Sequence, residues 1–521
     1  MKESLGIPES VTKRSYREII APQLTNHDFL SYDREGNLLV EGISVTDLVK
    51  KYGAPLEIVD TRRIEDRCKK WDLMFHEEAR KAGFPQEKHL GVYASKANMA
   101  SEVIMGAIRG GWQIETSGVQ DLINLKWLHE RGLIDNSLTI FCNGFKPHPK
   151  RYAMPLEKNN DRKFHGVIFE NKELEERTYG SSYAEMIILM KQAGFNIIPI
   201  LENEEELDYF AQHKEIESME VGLRLKFGKV SNADELNKLS SRHGMTLNEA
   251  RHTADRIREI SHLKLTTFHA MVGAAETIPV DLFVDHLLFA TDLYFELKKD
   301  NPELSFFNMG GGMAPLTEKY NHRDFLSKLL RGVRDKAKKA NMETPTIIFE
   351  FGSYIAADSG LHVFSVIDRK TNNVDENGKP VSWMIIDGGL MAAIPDMLMI
   401  GKEFLIVSAN NANKKAIPVI IGDTTCDSDG RYPPKAKGGT IMLPDADDNI
   451  LVITSVGAYQ EQLSGVRGAH HCGLSEAVEI IIEKGRNQAT YIRRMTRQTF
   501  GDLRNILGYT DEFIKAMRRL H

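Results

Sequence analysis

Four groups of residues in this chain have types suited to chemistry, and each closes a short β-branched or aromatic run. Lys96 stands in Tyr93-Ala94-Ser95-Lys96-Ala97-Asn98, and His269 in Phe268-His269-Ala270-Met271. Gly310, Gly311 and Gly312 follow Phe307-Asn308-Met309, and Glu350 sits in Phe349-Glu350-Phe351-Gly352. Each has a plainer reading alone. A lysine at a strand end is usually a solvated surface group. Three glycines are common in tight turns, a glutamate can cap a helix, and a histidine after an apolar run is more often a satisfied core residue. The combination is more informative. A glycine loop lets backbone N–H groups approach an anion, most often phosphate. An amine, a phosphate cradle, a carboxylate and an imidazole on separate strand ends of one barrel are the set needed to hold pyridoxal phosphate covalently.

The elements that must position these residues follow a rhythm. Nine apolar runs fall at 89–96, 112–118, 138–144, 166–171, 196–203, 221–227, 265–271, 304–312 and 346–352, with helical periodicity between several of them. Examples are 186–194 and 281–297, where Leu282, Phe283, His286, Phe289, Ala290 and Leu293 share a stripe. Strands alternating with helices predict an α/β fold with parallel pairing. Their number and span fit a (β/α)8 barrel, in which working residues sit at the C-terminal ends of the strands. One run is surplus. The weakest is GVIFEN (166–171), which follows a polar stretch at 146–164 that reads as an insertion. After Phe351 short strands come in quick succession, with turns but no long helix, and predict a second, mostly antiparallel β-barrel domain. Residues 57–60 and 38–45 are candidates to join it. From Ser475 the chain is expected to be helical, with one stripe at Phe500, Leu503, Ile506 and Leu507 and another at Phe513, Ile514 and Met517 beyond a Thr510 cap. The expected boundaries are therefore 1–60 for a segment joining the β domain, 61–350 for the barrel, 351–474 for the β domain and 475–521 for C-terminal helices.

Composition narrows the class. The 521 residues are 42% hydrophobic and 27% charged, as in globular proteins, and too many for one small core. The net charge of −6 gives no electrostatic case for nucleic acid or a membrane surface. No apolar run approaches the ~20 residues that span a bilayer, and MKESLGIPES lacks the apolar core of a signal peptide. Four cysteines cannot form a disulfide framework, so a reducing, cytoplasmic setting is expected. His470-His471-Cys472 lacks the spaced second pair of a zinc site, and no metal site is expected there. The basic run 491–497 reads as a helix surface, and Asp445–Asp448 as a solvated turn.

The β domain carries its own set, Cys426-Asp427-Ser428-Asp429-Gly430 and Gly457-Ala458-Tyr459. A lone cysteine is usually a buried small hydrophobe, but one flanked by aspartates is a poor core residue. From about Pro55 to Gly468 the chain resembles the fold-type III pyridoxal-phosphate decarboxylases, and among them the biosynthetic arginine decarboxylases. The likeness rests on Tyr93–Asn98, Phe307–Gly312, Thr425–Gly430, Gly457–Glu461, Phe141–Lys146 and Ile394–Leu398.

The resemblance implies an alanine-racemase-like barrel, a pyridoxal 5'-phosphate cofactor and a homodimer or higher oligomer with shared sites. It implies that Lys96 carries the cofactor, Glu350 faces the pyridine nitrogen and His269 stacks on the ring. Gly310, Gly311, Gly312 and Tyr459 would hold the phosphate. Cys426 would return a proton to Cα across the dimer interface, and Asp427, helped by Asp396, would pair with the distal cation of the substrate. The implied reaction is decarboxylation of a basic amino acid, most readily L-arginine to agmatine and CO2 in polyamine biosynthesis. Ornithine, lysine or diaminopimelate are alternatives on the same fold, and a catalytically silent regulatory homologue is another. A magnesium ion is compatible with such an enzyme, but no motif calls for one. Two departures stand out. The family has an arginine where this chain has Ser353, and a phosphate-binding serine after the stacking histidine where it has Ala270-Met271-Val272. The arginine alone accounts for charge-assisted bonds of ~1.5–3 kcal/mol.

Overall fold

The computed structural model describes residues 14–147, 182–227, 240–275, 277–375, 378–460, 471–485, 490–494, 499–507 and 509–520. The chain divides into two compact units. One holds Glu65–Ala314 and Lys319–Gly352, and the other Met1–Ile64, Pro315–Glu318 and Ser353–His521.

In the first unit eight parallel strands among the described residues close a barrel. They are β1 (His89–Ala94), β2 (Gln113–Thr116), β3 (Thr139–Cys142), β4 (Asn196–Leu201), β5 (Met219–Leu225), β6 (Leu263–Ala270), β7 (Phe306–Asn308) and β8 (Thr346–Phe351), paired in chain order with β8 returning to β1. Their sequences are near-continuous apolar runs because a parallel barrel strand is covered on both faces. Val92, Phe141, Ile198, Ile200 and Ile348 fill the interior. The GVIFEN run lies outside the described residues, and the barrel closes on the other eight. Outside the strands, Trp71 of the helix Thr61–Ala82 is fully buried, with ring centroids 5.1 Å from Phe349 and 4.6 Å from Phe351. That contact pins β8, the strand that carries Glu350.

The two expected helices form at Tyr183–Gln192 and Val280–Lys298, the first with a capping box between Ser182 and Glu185. The expected stripe on the second needs one correction. Leu282 is 45% exposed, and the face turned inward carries Phe283, Leu287, Ala290, Leu293 and Tyr294.

In the second unit a mostly antiparallel ten-stranded sheet forms among the described residues. Its longest strand, Gly360–Val374, pairs antiparallel with Leu56–Asp60, Ile450–Thr454 and Pro380–Ile386. Leu38–Val40 instead forms a small sheet with Leu30–Tyr32 and Ile43–Ser44. The expectation of helix from Ser475 is corrected in part. Val478–Lys484 is a strand, parallel to Leu56–Asp60, and Thr490–Arg494 pairs with it antiparallel. Ile480, Ile481 and Ile482 are consecutive β-branched residues, stiff at χ1 and suited to a pleated surface, and all three are buried. Among the described residues, helices follow only at Phe500–Ile506 and Asp511–Leu520, and of the first stripe Leu503 is buried while Phe500 is 90% exposed.

The loop after β3 is held by a buried ion pair. Lys146 is fully buried, and its Nζ donates to the carbonyls of Gly144 at 2.6 Å and Ile200 at 2.7 Å and to Glu206 Oε2 at 3.3 Å. Glu206 also accepts the backbone N–H groups of Lys146 at 2.8 Å and Glu202 at 2.9 Å. Removing the cation alone leaves a carboxylate buried without a counter-charge. Lys146→Met should therefore lower the unfolding free energy by ~3–5 kcal/mol, measured by urea denaturation. Adding Glu206→Gln to that variant should recover part of the loss.

Candidate active site

Three neighbouring strands bring three polar side chains together at the C-terminal end of the barrel. His269 on β6 pairs in register with Asn308 on β7, and β8 delivers Glu350. Asn308 Nδ2 donates to Glu350 Oε1 at 2.6 Å, and Asn143, just past β3, donates to Oε2 at 2.8 Å. His269 Nε2 lies 3.4 Å from the same Oε2. All four side chains are buried. Burial alone would push the Glu350 carboxyl up. His269, Asn308 and the charge of Lys96 outweigh it and hold the group well below the usual carboxylate range. The site therefore contains a carboxylate that stays ionised in a low-dielectric interior.

Lys96 lies in a single 3-10 turn, Ser95–Ala97, directly after β1, with its side chain exposed at the barrel mouth. Its charge is felt by both Glu350 and Glu115. Glu115, near the end of β2, is fully buried. Its Oε1 accepts the Ser117 hydroxyl at 2.6 Å, and its Oε2 has no hydrogen-bond partner among the described residues. Burial pushes this carboxyl up to about 6, with Glu350 acting in the same direction and Lys96 opposing.

The glycine triplet is built into the same structure. Asn308 Oδ1 accepts the Gly310 N–H at 2.9 Å, and the Glu350 N–H donates to the Gly310 carbonyl at 2.9 Å. Gly310 and Gly312 have φ of 69° and 85°. A Cβ on Gly311 would lie 2.4 Å from the Glu350 carbonyl, so the loop runs against β8 with no room for a side chain.

The remaining predicted residues lie in the second unit. Cys426 is exposed, with its Sγ 3.5 Å from Cys472 Sγ, and the adjacent thiol raises its pKa. Asp427 Oδ1 caps the turn by accepting the Asp429 N–H at 2.8 Å. Asp396 is buried and accepts Gln460 Nε2 at 3.0 Å. Tyr459 has a φ of 61°. Ser353 begins the short helix Ser353–Ala356. Glu461 and His470 lie outside the described residues. Among the described residues no three His, Cys, Asp or Glu side chains converge as metal ligands, and no helix is long and apolar enough to cross a membrane.

Sequence reasoning missed Asn143, Asn308, Glu115 and Asp423. Three of them are polar residues closing buried strands, and that position was the available signal. Asp423 organises the Cys426 turn, accepting the Thr425 hydroxyl at 2.6 Å and the Leu390 N–H at 2.8 Å.

The barrel residues fit pyridoxal phosphate. They offer an amine at a strand end, an ionised carboxylate for a ring nitrogen, and an imidazole whose buried Nδ1 has no partner among the described residues. The family model described as "Pyridoxal-dependent decarboxylase, pyridoxal binding domain" matches residues 182–357. The diaminopimelate decarboxylase of Staphylococcus aureus is 23% identical over 454 residues, covering 84% of this chain and 91% of that protein. Biosynthetic arginine decarboxylase 2 of Synechocystis is 22% identical over 381 residues, 67% of this chain, and the match spans 51% of that relative. In fold, the crystal structure of the biosynthetic arginine decarboxylase from Campylobacter jejuni superposes with a TM-score of 0.75 at 16% identity, covering 96% of this chain and 92% of that one. The chain thus resembles the fold-type III pyridoxal-phosphate decarboxylases, arginine decarboxylases among them, and pyridoxal phosphate is the cofactor its barrel fits.

Asn308 joins the carboxylate to the glycine loop, whereas Asn143 touches only the carboxylate. A hydrogen bond to a charged group contributes ~1.5–3 kcal/mol, so Asn308→Ala should weaken pyridoxal phosphate binding roughly 10- to 150-fold in a fluorescence titration. Asn143→Ala should weaken it less.

Proposed function

We propose that this protein decarboxylates a basic amino acid with pyridoxal phosphate, with L-arginine as the preferred substrate and agmatine and CO2 as products. The observation that carries the reading is Glu350, an ionised carboxylate held between Asn143, Asn308 and His269 at the strand ends that also present Lys96 and the glycine loop. Pyridoxal phosphate, when bound, supplies the electron sink for the carbanion left at Cα as CO2 departs. Lys96 would hold it covalently through Nζ. Glu350, kept from protonation, would retain a proton on the pyridine nitrogen. His269 would lie against the ring face. Gly310, Gly311, Gly312 and Tyr459 would bind the phosphate, without help from an arginine at Ser353.

Cys426 would return a proton to Cα, since an ordinary thiol is already protonated at neutral pH, as a donor must be. Asp427 would bind the distal cation of the substrate, helped by Asp396. In this reading both come from the second subunit of a homodimer. An exposed apolar run next to Asp396 supports such an interface, since Met399 is 67% and Ile400 69% exposed.

Diaminopimelate is the second reading, favoured by the 91% coverage of the Staphylococcus aureus enzyme against about half of the cyanobacterial arginine decarboxylase. Its distal end is a second amino-acid head whose carboxylate wants a cation. A carboxylate at 427 suits a guanidinium or ammonium tail better. A silent homologue is disfavoured by the joint presence of Lys96, His269, Glu350 and Cys426.

Two measurements test this. CO2 release should be fastest with arginine in a panel that includes ornithine, lysine and diaminopimelate, and Lys96→Ala should abolish both the release and the visible absorbance of the bound cofactor. If diaminopimelate leads, the arginine assignment falls and the decarboxylase reading stands. Truncating one partner of a buried charge pair costs about 2–5 kcal/mol, so Asp427→Ala should lower kcat/KM for arginine by roughly 30- to several-thousand-fold. Mixing Lys96→Ala with Cys426→Ala protein should restore activity in the heterodimer that holds one intact site.

A further inference from the structure

The four cysteines divide into two kinds. Cys68 and Cys142 are buried, and Cys426 and Cys472 are exposed. The exposed pair is 46 residues apart in sequence, yet the two Sγ atoms lie 3.5 Å apart and Cys472 Sγ accepts the Cys426 N–H at 3.4 Å. A disulfide requires ~2.05 Å between sulfurs, so closure needs a shift of only about 1.5 Å, within reach of side-chain rotation. The geometry is specified by the backbone as well. Cys472 has a φ of 55° in the left-handed region that residues with a Cβ seldom occupy. On the other side, Asp423 fixes the turn before Cys426 through both the N–H, at 2.9 Å, and the hydroxyl, at 2.6 Å, of Thr425.

We propose that Cys426 and Cys472 form a reversible disulfide that withdraws Cys426 from catalysis, a redox modification site that turns the enzyme off under oxidising conditions. This rests on the reading of Cys426 as the proton donor. The chemistry is a two-electron oxidation, with a peroxide as the oxidant. One cysteine, as thiolate, attacks the O–O bond, becomes a sulfenic acid and releases one water once the leaving oxygen is protonated. The other attacks that sulfur, forms the S–S bond and expels a second water. Two thiols and one hydrogen peroxide thus give one disulfide and two waters. A dithiol reductant reverses the change by exchange through a mixed disulfide. With its sulfur bonded, Cys426 has no S–H to deliver.

The test treats the cofactor-loaded protein with hydrogen peroxide in slight molar excess. Peptides are mapped by mass spectrometry without reduction, and CO2 release is followed in the same samples. The expected result is a Cys426–Cys472 linked peptide, activity lost in proportion to the linked fraction, and recovery of both on adding dithiothreitol. Cys472→Ser, which replaces no residue of the reaction, should keep the starting activity and yield no linked peptide. Given a second equivalent of peroxide, its Cys426 should instead progress to sulfinic acid, a loss that dithiothreitol does not reverse. Oxidation of Cys426 in the parent protein without a linked peptide would overturn the proposal and leave its role as proton donor intact. A linked peptide with full activity would overturn both.

Discussion

The site depends on keeping Glu350 ionised while it is buried. Taking a carboxylate out of water costs far more than an ordinary polar contact returns, and the usual relief is protonation. Here the charge is retained because the His269 imidazole lies 3.4 Å from one oxygen, Asn308 donates to the other at 2.6 Å and Lys96 adds its charge, while Asn143 satisfies the first oxygen at 2.8 Å. Amides serve this role without adding charge. A lysine or arginine in their place would also stabilise the carboxylate, but it would cancel the negative potential that a protonated pyridine nitrogen needs. Asparagine satisfies the hydrogen bonds and leaves the net charge in place.

That requirement reaches back into the fold. Asn143 can donate only if the loop after β3 is fixed, and the fully buried Lys146 fixes it by tying the Gly144 carbonyl to the end of β4 and to Glu206. Glu350 is placed by β8, which Trp71 pins from outside the barrel. Asn308 needs the three-residue strand β7 to stop where it does, so that its oxygen turns the chain into the glycine loop. Each of these supports lies in the barrel unit, on a strand or one short step beyond it, where small errors in backbone position are least.

The barrel strands were legible because a parallel strand covered on both faces is an unbroken apolar run, and Lys96, His269 and Glu350 were legible because each ends such a run with an ionisable group. Asn143, Asn308 and Glu115 end the same kind of run, but that position alone does not separate a site residue from a satisfied polar group. Their roles depend on which strands become neighbours, and pairing is a property of the closed barrel. The strand Val478–Lys484 was missed for a different reason. It pairs with Leu56–Asp60, more than four hundred residues earlier, and nothing local marks it except three isoleucines. The Cys426–Cys472 pair was invisible on the same ground, since its contact joins two separate turns.

The missing arginine changes where the cost of cofactor binding falls. In this chain Ser353 stands at that position, and Met271 packs against the glycine loop: a Cβ on Gly310 would sit 2.7 Å from its sulfur. On the proposed reading, a phosphate cradle in the barrel would therefore be mainly backbone. Asn308, which holds the Glu350 carboxylate, also accepts the Gly310 N–H, and the Gly310 carbonyl accepts the Glu350 N–H, so the glycine loop and the end of β8 are tied together. Losing an arginine from such an arrangement removes charge-assisted bonds to the phosphate without disturbing Glu350. On the proposed reading, the expense would fall on cofactor affinity and not on the stabilisation of the carbanion. A site of this kind would keep its chemistry while holding its cofactor less tightly, and activity would then depend more steeply on the concentration of free pyridoxal phosphate.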